Sequence, residues 1–414
     1  MKIEKCRVCG CKELEPIISL GDHYVSGFVN DESEQGIKVP LSLVLCKECK
    51  LLQMEYSAPP EMMWNEQYWY KSAINSIIRN DLKDIVNNVE ELVDLKDKDI
   101  VLDIGCNDGT MLNFYKNKSL TLAGFEPCLN VAKEAVSKDI EVINNFFNAD
   151  NYKERFETKA KVITAISMFY DLEDPNKFLK DIKECLDEDG LFIIQQNYLV
   201  SMLEQVAFDN ICHEHREYYS LTSLKNVLER HGFEIFNVEL NDINGGSIRT
   251  YIKFKDNKKY INNEKIINEI LKKEKELKLD TKEPYLEFAN KIDRCKEEVM
   301  SFLRNEKAKG KTIGICGAST RGNTILQYFG ITPELVIGCS EANPDKYGKK
   351  TVGTLIPVIS IDEMKKLKPD FQLVLIWHLF EGLQDKEKDY LNQGGKFVLP
   401  LPNFKVVGKN NGNR

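Results

Sequence analysis

Val101-Leu-Asp-Ile-Gly-Cys-Asn-Asp-Gly-Thr-Met-Leu112 reads as a buried strand running into a glycine-rich turn that opens a helix. Val101, Leu102 and Ile104 supply the apolar strand. Gly105 and Gly109 keep side chains out of the turn, so a ligand can touch the backbone there. Asp103 and Asp108 bring carboxylates to the same place, suited to a cationic or hydroxyl-bearing guest. Phosphate fits poorly. A phosphate loop needs a Lys followed by Ser or Thr, and a dinucleotide site needs Gly-x-Gly-x-x-Gly, whereas this turn is acidic and holds two glycines.

Outward from the turn, a short helix is expected and then a second strand, Leu122-Ala-Gly-Phe-Glu126-Pro, ending in an acid about twenty residues past the glycines. An acid there can accept both hydroxyls of a ribose. The alternative is an ordinary strand-to-helix connection. The pair of elements resembles the cofactor site of class I S-adenosylmethionine (SAM) methyltransferases, in which the acidic turn faces the amino-acid end of SAM. The resemblance implies cofactor contacts from Asp103, Gly105, Asn107, Asp108, Gly109, Glu126, Pro127, Phe147 and Ser167.

At 414 residues the chain exceeds what one hydrophobic core organises, so two or three domains are expected. A net charge of −8, with both signs scattered along the chain, argues against a nucleic-acid partner. No apolar run approaches the roughly twenty residues of a membrane span, and the start lacks the apolar core of a signal peptide. A cytoplasmic protein with no membrane partner is expected, and a monomer. Twelve cysteines in that setting read as thiols and metal ligands. Cys6-x-x-Cys9 and Cys46-x-x-Cys49 have the spacing of two zinc knuckles, and four thiolates suit a closed, structural tetrahedral site. Cys11 is an alternative ligand, and a set of reduced thiols the alternative state.

The expected fold class is α/β: a small zinc-binding module over residues 1–72, a Rossmann-like SAM-binding domain over 73–255, and a second Rossmann-like domain over 256–414. Strand patterns at 100–104, 121–125, 162–167 and 191–196 alternate with helical ones, which implies a parallel sheet covered on both faces. Asn244-Gly-Gly-Ser-Ile-Arg249 reads as a hairpin, a bulge or a close backbone approach. The charged stretch 263–309 reads as two helices separated at Pro284. The stretches 312–319, 335–338 and 373–376 then alternate with helices as a second doubly wound domain, and Gly408 to Arg414 reads as a disordered polar tail.

The densest polar cluster is Asp209-Asn-Ile-Cys212-His213-Glu214-His215-Arg-Glu217-Tyr218-Tyr219. It lacks the His-Glu-x-x-His spacing of zinc proteases, and histidines two apart on a helix diverge. A shared metal in an extended segment and a solvated loop are both weaker readings than proton transfer, for which neutral imidazole is suited near neutral pH.

The cysteine knuckles, the SAM turn, His-Glu-His-x-x-Tyr-Tyr, Asn-Gly-Gly-Ser-Ile-Arg and the loop Gly317-Ala-Ser-Thr-Arg-Gly-Asn-Thr324 occur in that order. Together they resemble the sugar C-methyltransferase family over nearly the whole chain. The resemblance implies methylation of a nucleotide-linked 4-keto-6-deoxy sugar at the carbon beside the ketone, with that sugar held between the middle and C-terminal domains. His215 is then the base that makes the enolate, Glu214 orients it or a sugar hydroxyl, Tyr70 donates to the keto oxygen, and His213 and Tyr170 complete the catalytic set. Substrate contacts are expected from Cys212, Asn244, Arg249, Ser319, Arg321 and Asn323, with Arg249 or Arg321 on the diphosphate.

Cys212 stands where the family has Tyr, and Tyr170 where it has His. These departures leave open O- or N-methylation of a modified sugar. A non-catalytic SAM-binding scaffold is a further alternative, while a nicotinamide oxidoreductase is disfavoured by the glycine spacing.

Overall fold

The computed structural model describes residues 1–25, 27–65, 68–136 and 140–409. The polar tail expected from Gly408 therefore falls outside the described residues beyond 409.

β1 (Leu14–Tyr24), β2 (Phe28–Val29), β3 (Lys38–Cys46) and β4 (Leu52–Met54) belong to the N-terminal module. Alternation along β3 buries Val39, Leu41, Leu43 and Leu45 on one face, and β3 pairs antiparallel with β1 and β4. Helix α1 (Ser76–Leu92) is capped by Asn75, whose side chain accepts from the Ile77 N–H at 2.8 Å. It buries Ile78, Leu82, Ile85, Val86 and Val89 along one face.

The chain then runs through β5 (Ile100–Ile104), β6 (Thr121–Phe125), α2 (Leu129–Val136), β7 (Glu141–Ile143), α3 (Ala149–Arg155), β8 (Ala160–Ile166), α4 (Pro175–Cys185) and β9 (Leu186–Asn197). After α5 (Leu199–Glu204), the short β10 (Glu217–Tyr218) and α6 (Leu221–Arg230), the hairpin β11 (Phe233–Asn241) and β12 (Ser247–Phe254) closes the sheet. The order is β11-β12-β9-β8-β5-β6-β7, and β12 alone runs antiparallel to its neighbours. The chain leaves β5 towards β6 and β7, then returns to β8 on its other side. That reversal opens a crevice at the carboxyl ends of β5 and β8, where open α/β sheets bind ligands.

One expectation is corrected at the turn after β5. Instead of an α-helix there is a single 3-10 turn, Leu112–Phe114. The Lys116 N–H donates to Glu90 at 2.9 Å and the Ser119 N–H to the Asn117 side chain at 2.9 Å, so side chains take the place of helix continuation.

α7 (Glu264–Glu276) and α8 (Glu283–Ala308) follow, with Pro284 in the first turn of α8 where its missing N–H costs nothing. The last part contains β13 (Ile313–Cys316), α9 (Thr320–Phe329), β14 (Cys339–Glu341), β15 (Lys350–Thr351), β16 (Val358–Ser360), α10 (Ile361–Leu367), β17 (Phe371–Val374), α11 (Phe380–Lys386), α12 (Lys388–Asn392), β18 (Lys396–Leu399) and β19 (Lys405–Val407). Its sheet order is β16-β14-β13-β17-β18-β19, parallel except for β19. The strand expected at 335–338 is assigned at Cys339–Glu341, and Ile337 and Gly338 ahead of it already exchange backbone hydrogen bonds with β13, each at 2.9 Å.

Two pairings tie the parts together. β10, next to the histidine cluster, adds to the N-terminal sheet beside β4, and β2 pairs with β15 of the last part. The Asn244-Gly-Gly segment is both a hairpin tip and a close approach: a Cβ on Gly246 would lie 2.3 Å from the Ser201 Cβ, at a φ of +107°. Gly246→Ala is expected to lower stability by about 1–3 kcal/mol, from strain and overlap together. Denaturant unfolding of the purified variant measures it.

Candidate active site

The crevice at the β5/β8 reversal is a cavity of about 360 Å³. Its wall includes Asp103, Gly105, Asn107, Glu126, Pro127, Phe147 and Ser167, with Trp64, Tyr68 and Tyr70 arriving from the N-terminal module. Asp103 leaves the end of β5 beside Thr164 on β8, whose hydroxyl donates to the carboxylate at 2.7 Å. Burial outweighs that bond and pushes Asp103 up to about 7. Glu126 follows β6. Its two oxygens accept from the Asn107 N–H at 2.9 Å and the Cys128 N–H at 2.8 Å, and burial raises its pKa as well. A Cβ on Gly105, at φ +74°, would meet Met168 at 3.3 Å, so the backbone is bare toward the crevice.

Asp108 and Gly109 do not line the cavity. Asp108 is wholly buried and accepts from the Ala73 N–H at 2.9 Å and the Thr110 N–H at 3.1 Å. Asn107 accepts from the Ser72 N–H and donates to the Tyr70 carbonyl, each at 3.0 Å. The turn therefore holds the segment that brings Tyr70, half of whose surface (48%) is accessible, to the cavity. The donors and shape fit SAM: an acid for the ribose diol, an acid near a bare backbone turn for the ammonium, and aromatic walls formed by Phe147, edge-on to Phe125 at 5.1 Å, and Phe146, edge-on to Trp64 at 6.4 Å.

The histidine cluster stands beside this cavity and does not line it. His215 and Tyr170 face a second, small pocket with Asn197, Asn210 and Tyr218. Their ring centroids are 4.3 Å apart. The Asn210 carbonyl lies 3.0 Å from His215 Nδ1; since a carbonyl only accepts, Nδ1 carries the proton and Nε2 is left as the basic atom. Burial, then the Arg321 charge, lowers His215 to about 3, so the imidazole is neutral at physiological pH. His213 donates from Nε2 to the Val39 carbonyl at 3.0 Å, and burial lowers it to about 4; it ties the cluster to β3. Cys212 is buried, and burial raises both its thiol and the Tyr170 phenol.

Asp171, which sequence reasoning missed, lines the large cavity next to Tyr170. Burial, and then Glu214 nearby, push its carboxyl well above the usual range. One of its oxygens is buried without a partner. The only local signal was an acid directly after a strand end. Arg216 was missed too: it lines the cavity, pairs with Glu173, and its N–H donates to the Tyr170 carbonyl at 2.8 Å.

The proposed substrate residues separate. Arg321 reaches Asp209 at 2.8 Å and the Asn244 carbonyl at 2.7 Å, next to the cluster. Asn244 lines the large cavity. Ser319 caps α9 by accepting from the Gly322 N–H at 2.9 Å, and Asn323 donates to the Gly27 carbonyl at 2.9 Å. Arg249 is corrected: it is 1% exposed, and four of its five N–H donors go to Asp81, Asp84, Glu239 and Gln195, so its charge is paired and buried away from a diphosphate.

In the N-terminal module the Sγ atoms of Cys6, Cys9, Cys46 and Cys49 all lie within 4.8 Å of one another. Tetrahedral zinc with bonds of about 2.3 Å sets sulfurs about 3.8 Å apart, so the set fits the ion. Cys11 accepts instead from the Glu13 N–H at 3.3 Å and is not part of the group.

Comparison with known proteins finds three family matches along the chain. A zinc binding domain family matches residues 6–64, a methyltransferase domain family 75–238, and the C-methyltransferase C-terminal domain family 242–402. The C-methyltransferase NovU of Streptomyces niveus is 29% identical over 411 residues, covering 98% of this chain and 97% of its own. A tRNA U34 carboxymethyltransferase of Campylobacter jejuni is 30% identical over 154 residues, 33% of this chain, and the match spans half of that relative's length. Among solved structures, the plantazolicin methyltransferase BpumL in complex with SAH is 14% identical, covering 42% of this chain and 82% of its own, with a TM-score of 0.34.

Two outcomes follow from the geometry. A cationic ligand favours ionised Asp103, so SAM affinity should rise as pH climbs through about 7, and Asp103→Asn should flatten that rise; calorimetric titration between about pH 6 and about pH 8 measures it. Purified protein should carry one zinc per chain and Cys46→Ala should lose it, as read by elemental analysis.

Proposed function

We propose that this chain, a SAM-dependent methyltransferase of the three-domain C-methyltransferase family, methylates the carbon beside the ketone of a nucleotide-linked 4-keto-6-deoxy sugar. The relative that spans the whole chain bears the name C-methyltransferase, which supports carbon as the acceptor atom. The sugar assignment rests on the ordered motifs of the sequence. In this reading residues 1–72 hold zinc, 73–255 hold SAM, and 256–414 hold the nucleotide-sugar against the middle domain, in a monomeric cytoplasmic protein. Among the described residues no helix is long and apolar enough to cross a membrane.

The observation that carries the reading is the fixed tautomer of His215, whose Nε2 is a free base beside Tyr170. A hydrogen next to a ketone is acidic because its conjugate base is an enolate, so the site needs one base and donors for the oxyanion. His215 Nε2 takes that proton. In this reading Glu214, adjacent in the chain, orients His215 or a sugar hydroxyl. Tyr170 and Asp171, both kept protonated by burial, and Tyr70 at the cavity wall are the donors for the enolate oxygen. Bound SAM supplies an activated methyl group, and the remaining work of the protein is alignment. Asn244 lines the large cavity and its carbonyl accepts from Arg321 of the C-terminal part; in this reading the two orient the sugar-nucleotide.

His215→Gln is expected to lower methyl transfer by about 10²–10⁴-fold while SAM affinity stays near wild type. Because His215 titrates near 3, kcat/KM should show no acidic limb from it between about pH 5 and about pH 8. Mass spectrometry of reactions with nucleotide-linked sugars, with and without a 4-keto group, checks the substrate. A methylated product only from keto sugars supports the enolate route; methylation of non-keto sugars moves the chemistry to oxygen or nitrogen.

A further inference from the structure

We propose that Gln53 is a positioning residue that transmits the geometry of the four-cysteine site to the segment carrying His215. This rests on reading His215 as the base. Gln53 lies in β4 and has no exposed surface. Its Nε2 donates to the Cys6 sulfur at 3.2 Å, and its Oε1 accepts from the Arg7 N–H at 3.1 Å, inside the Cys6–Cys9 knuckle. Its backbone pairs with Glu217 of β10, two residues past His215. The Met54 N–H next to it donates to the Arg216 carbonyl at 2.8 Å, and the Arg216 N–H donates to the Tyr170 carbonyl at 2.8 Å. One route of short bonds thus runs from a metal-ligating sulfur through one side chain into the peptide units on either side of the His215–Tyr170 pair.

The same side of β10 carries a second link. The Glu217 carboxylate is fully buried without a hydrogen-bond partner, and Arg7 of the knuckle approaches it at 3.8 Å. An N–H bond to a thiolate is charge-assisted, and such bonds orient the groups around a metal while tuning its ligands. A two-residue strand pair has little stability of its own, so β10 takes its position from what holds β4. Gln53 is the one side chain of β4 that reaches both knuckle atoms.

The test uses Gln53→Leu and Gln53→Glu in the full chain, the second keeping the acceptor for Arg7 and losing the donor to sulfur. Zinc per chain, SAM affinity, kcat, and amide hydrogen exchange at Met54 and Arg216 are measured. With zinc bound and SAM affinity unchanged, both variants are expected to lose about 10–100-fold in kcat and to exchange faster at both amides. Wild-type kcat and exchange in zinc-loaded Gln53→Leu overturn the proposal. Where the variants do not fold, zinc is chelated from the wild-type chain: faster exchange at Arg216 with SAM still bound supports the route, and unchanged exchange overturns it. If His215→Gln stays active the base assignment fails, while the exchange readout still decides the role of Gln53.

Discussion

Asp209 is a carboxylate with no exposed surface at the joint between two domains, and its burial is tolerable because Arg321 and the Trp377 indole reach it from the opposite side. Stripped of one partner, a buried ion pair of this kind costs about 3–5 kcal/mol. Arg321 also bonds the hairpin tip at Asn244, and Gly245 beside it admits the Trp377 ring, which a Cβ there would touch at 3.0 Å. The segment from Asp209 to Tyr219 is therefore clamped at its start by the C-terminal part and at its end by β4 of the zinc module. His215 lies between the two clamps. Its position is a product of all three parts of the chain, which explains how a short irregular loop can hold the imidazole in place without lying in regular structure.

The cavity acids work against stability. Asp103 and Glu126 are both raised by burial, and a raised carboxyl contributes stability that is present below its unfolded pKa and lost as pH rises through the folded one. For Asp103 that window runs from about 4 to about 7. At neutral pH the folded protein thus carries unfavourable negative charge at the bare backbone turn. A ligand with a positive charge relieves it, so the same burial that weakens the fold strengthens discrimination for a cation.

How much was legible in the sequence depends on how local the cause was. The β5 turn, Glu126 and the four cysteines were readable because each rests on residue type at a fixed spacing. The missing helix after β5 was not, because its alternative is a bond from Lys116 back to Glu90. Arg249 was misread for a similar reason: an arginine near a glycine pair looks like an anion binder, and only the fold reveals Asp81 and Asp84 of α1 beneath it. Asp209 was overlooked as an individual actor because its partners come from other elements; Arg321 lies 112 residues from it. The division of the sheets followed from alternation of strands and helices, whereas β10, two residues long, leaves no pattern at all.

The two parallel sheets share a layout but not a chemistry. In each, a strand runs into a glycine turn and the next strand ends at an acid. Glu126 accepts one N–H from the turn and one from its own loop, and it still faces a cavity. Glu341 at the end of β14 accepts from the N–H groups of Ala318, Ala342 and Asn343 and is approached by the Lys346 ammonium at 3.3 Å. Lys346 also donates to the Ala318 carbonyl at 2.7 Å, and the Asn343 amide to the Trp69 carbonyl at 3.0 Å. The place a second cofactor's ribose would take is filled by the protein's own donors. Topology alone would have given two equivalent sites; a lysine and a loop decide that the second sheet docks against the first part of the chain and leaves the cofactor to the other.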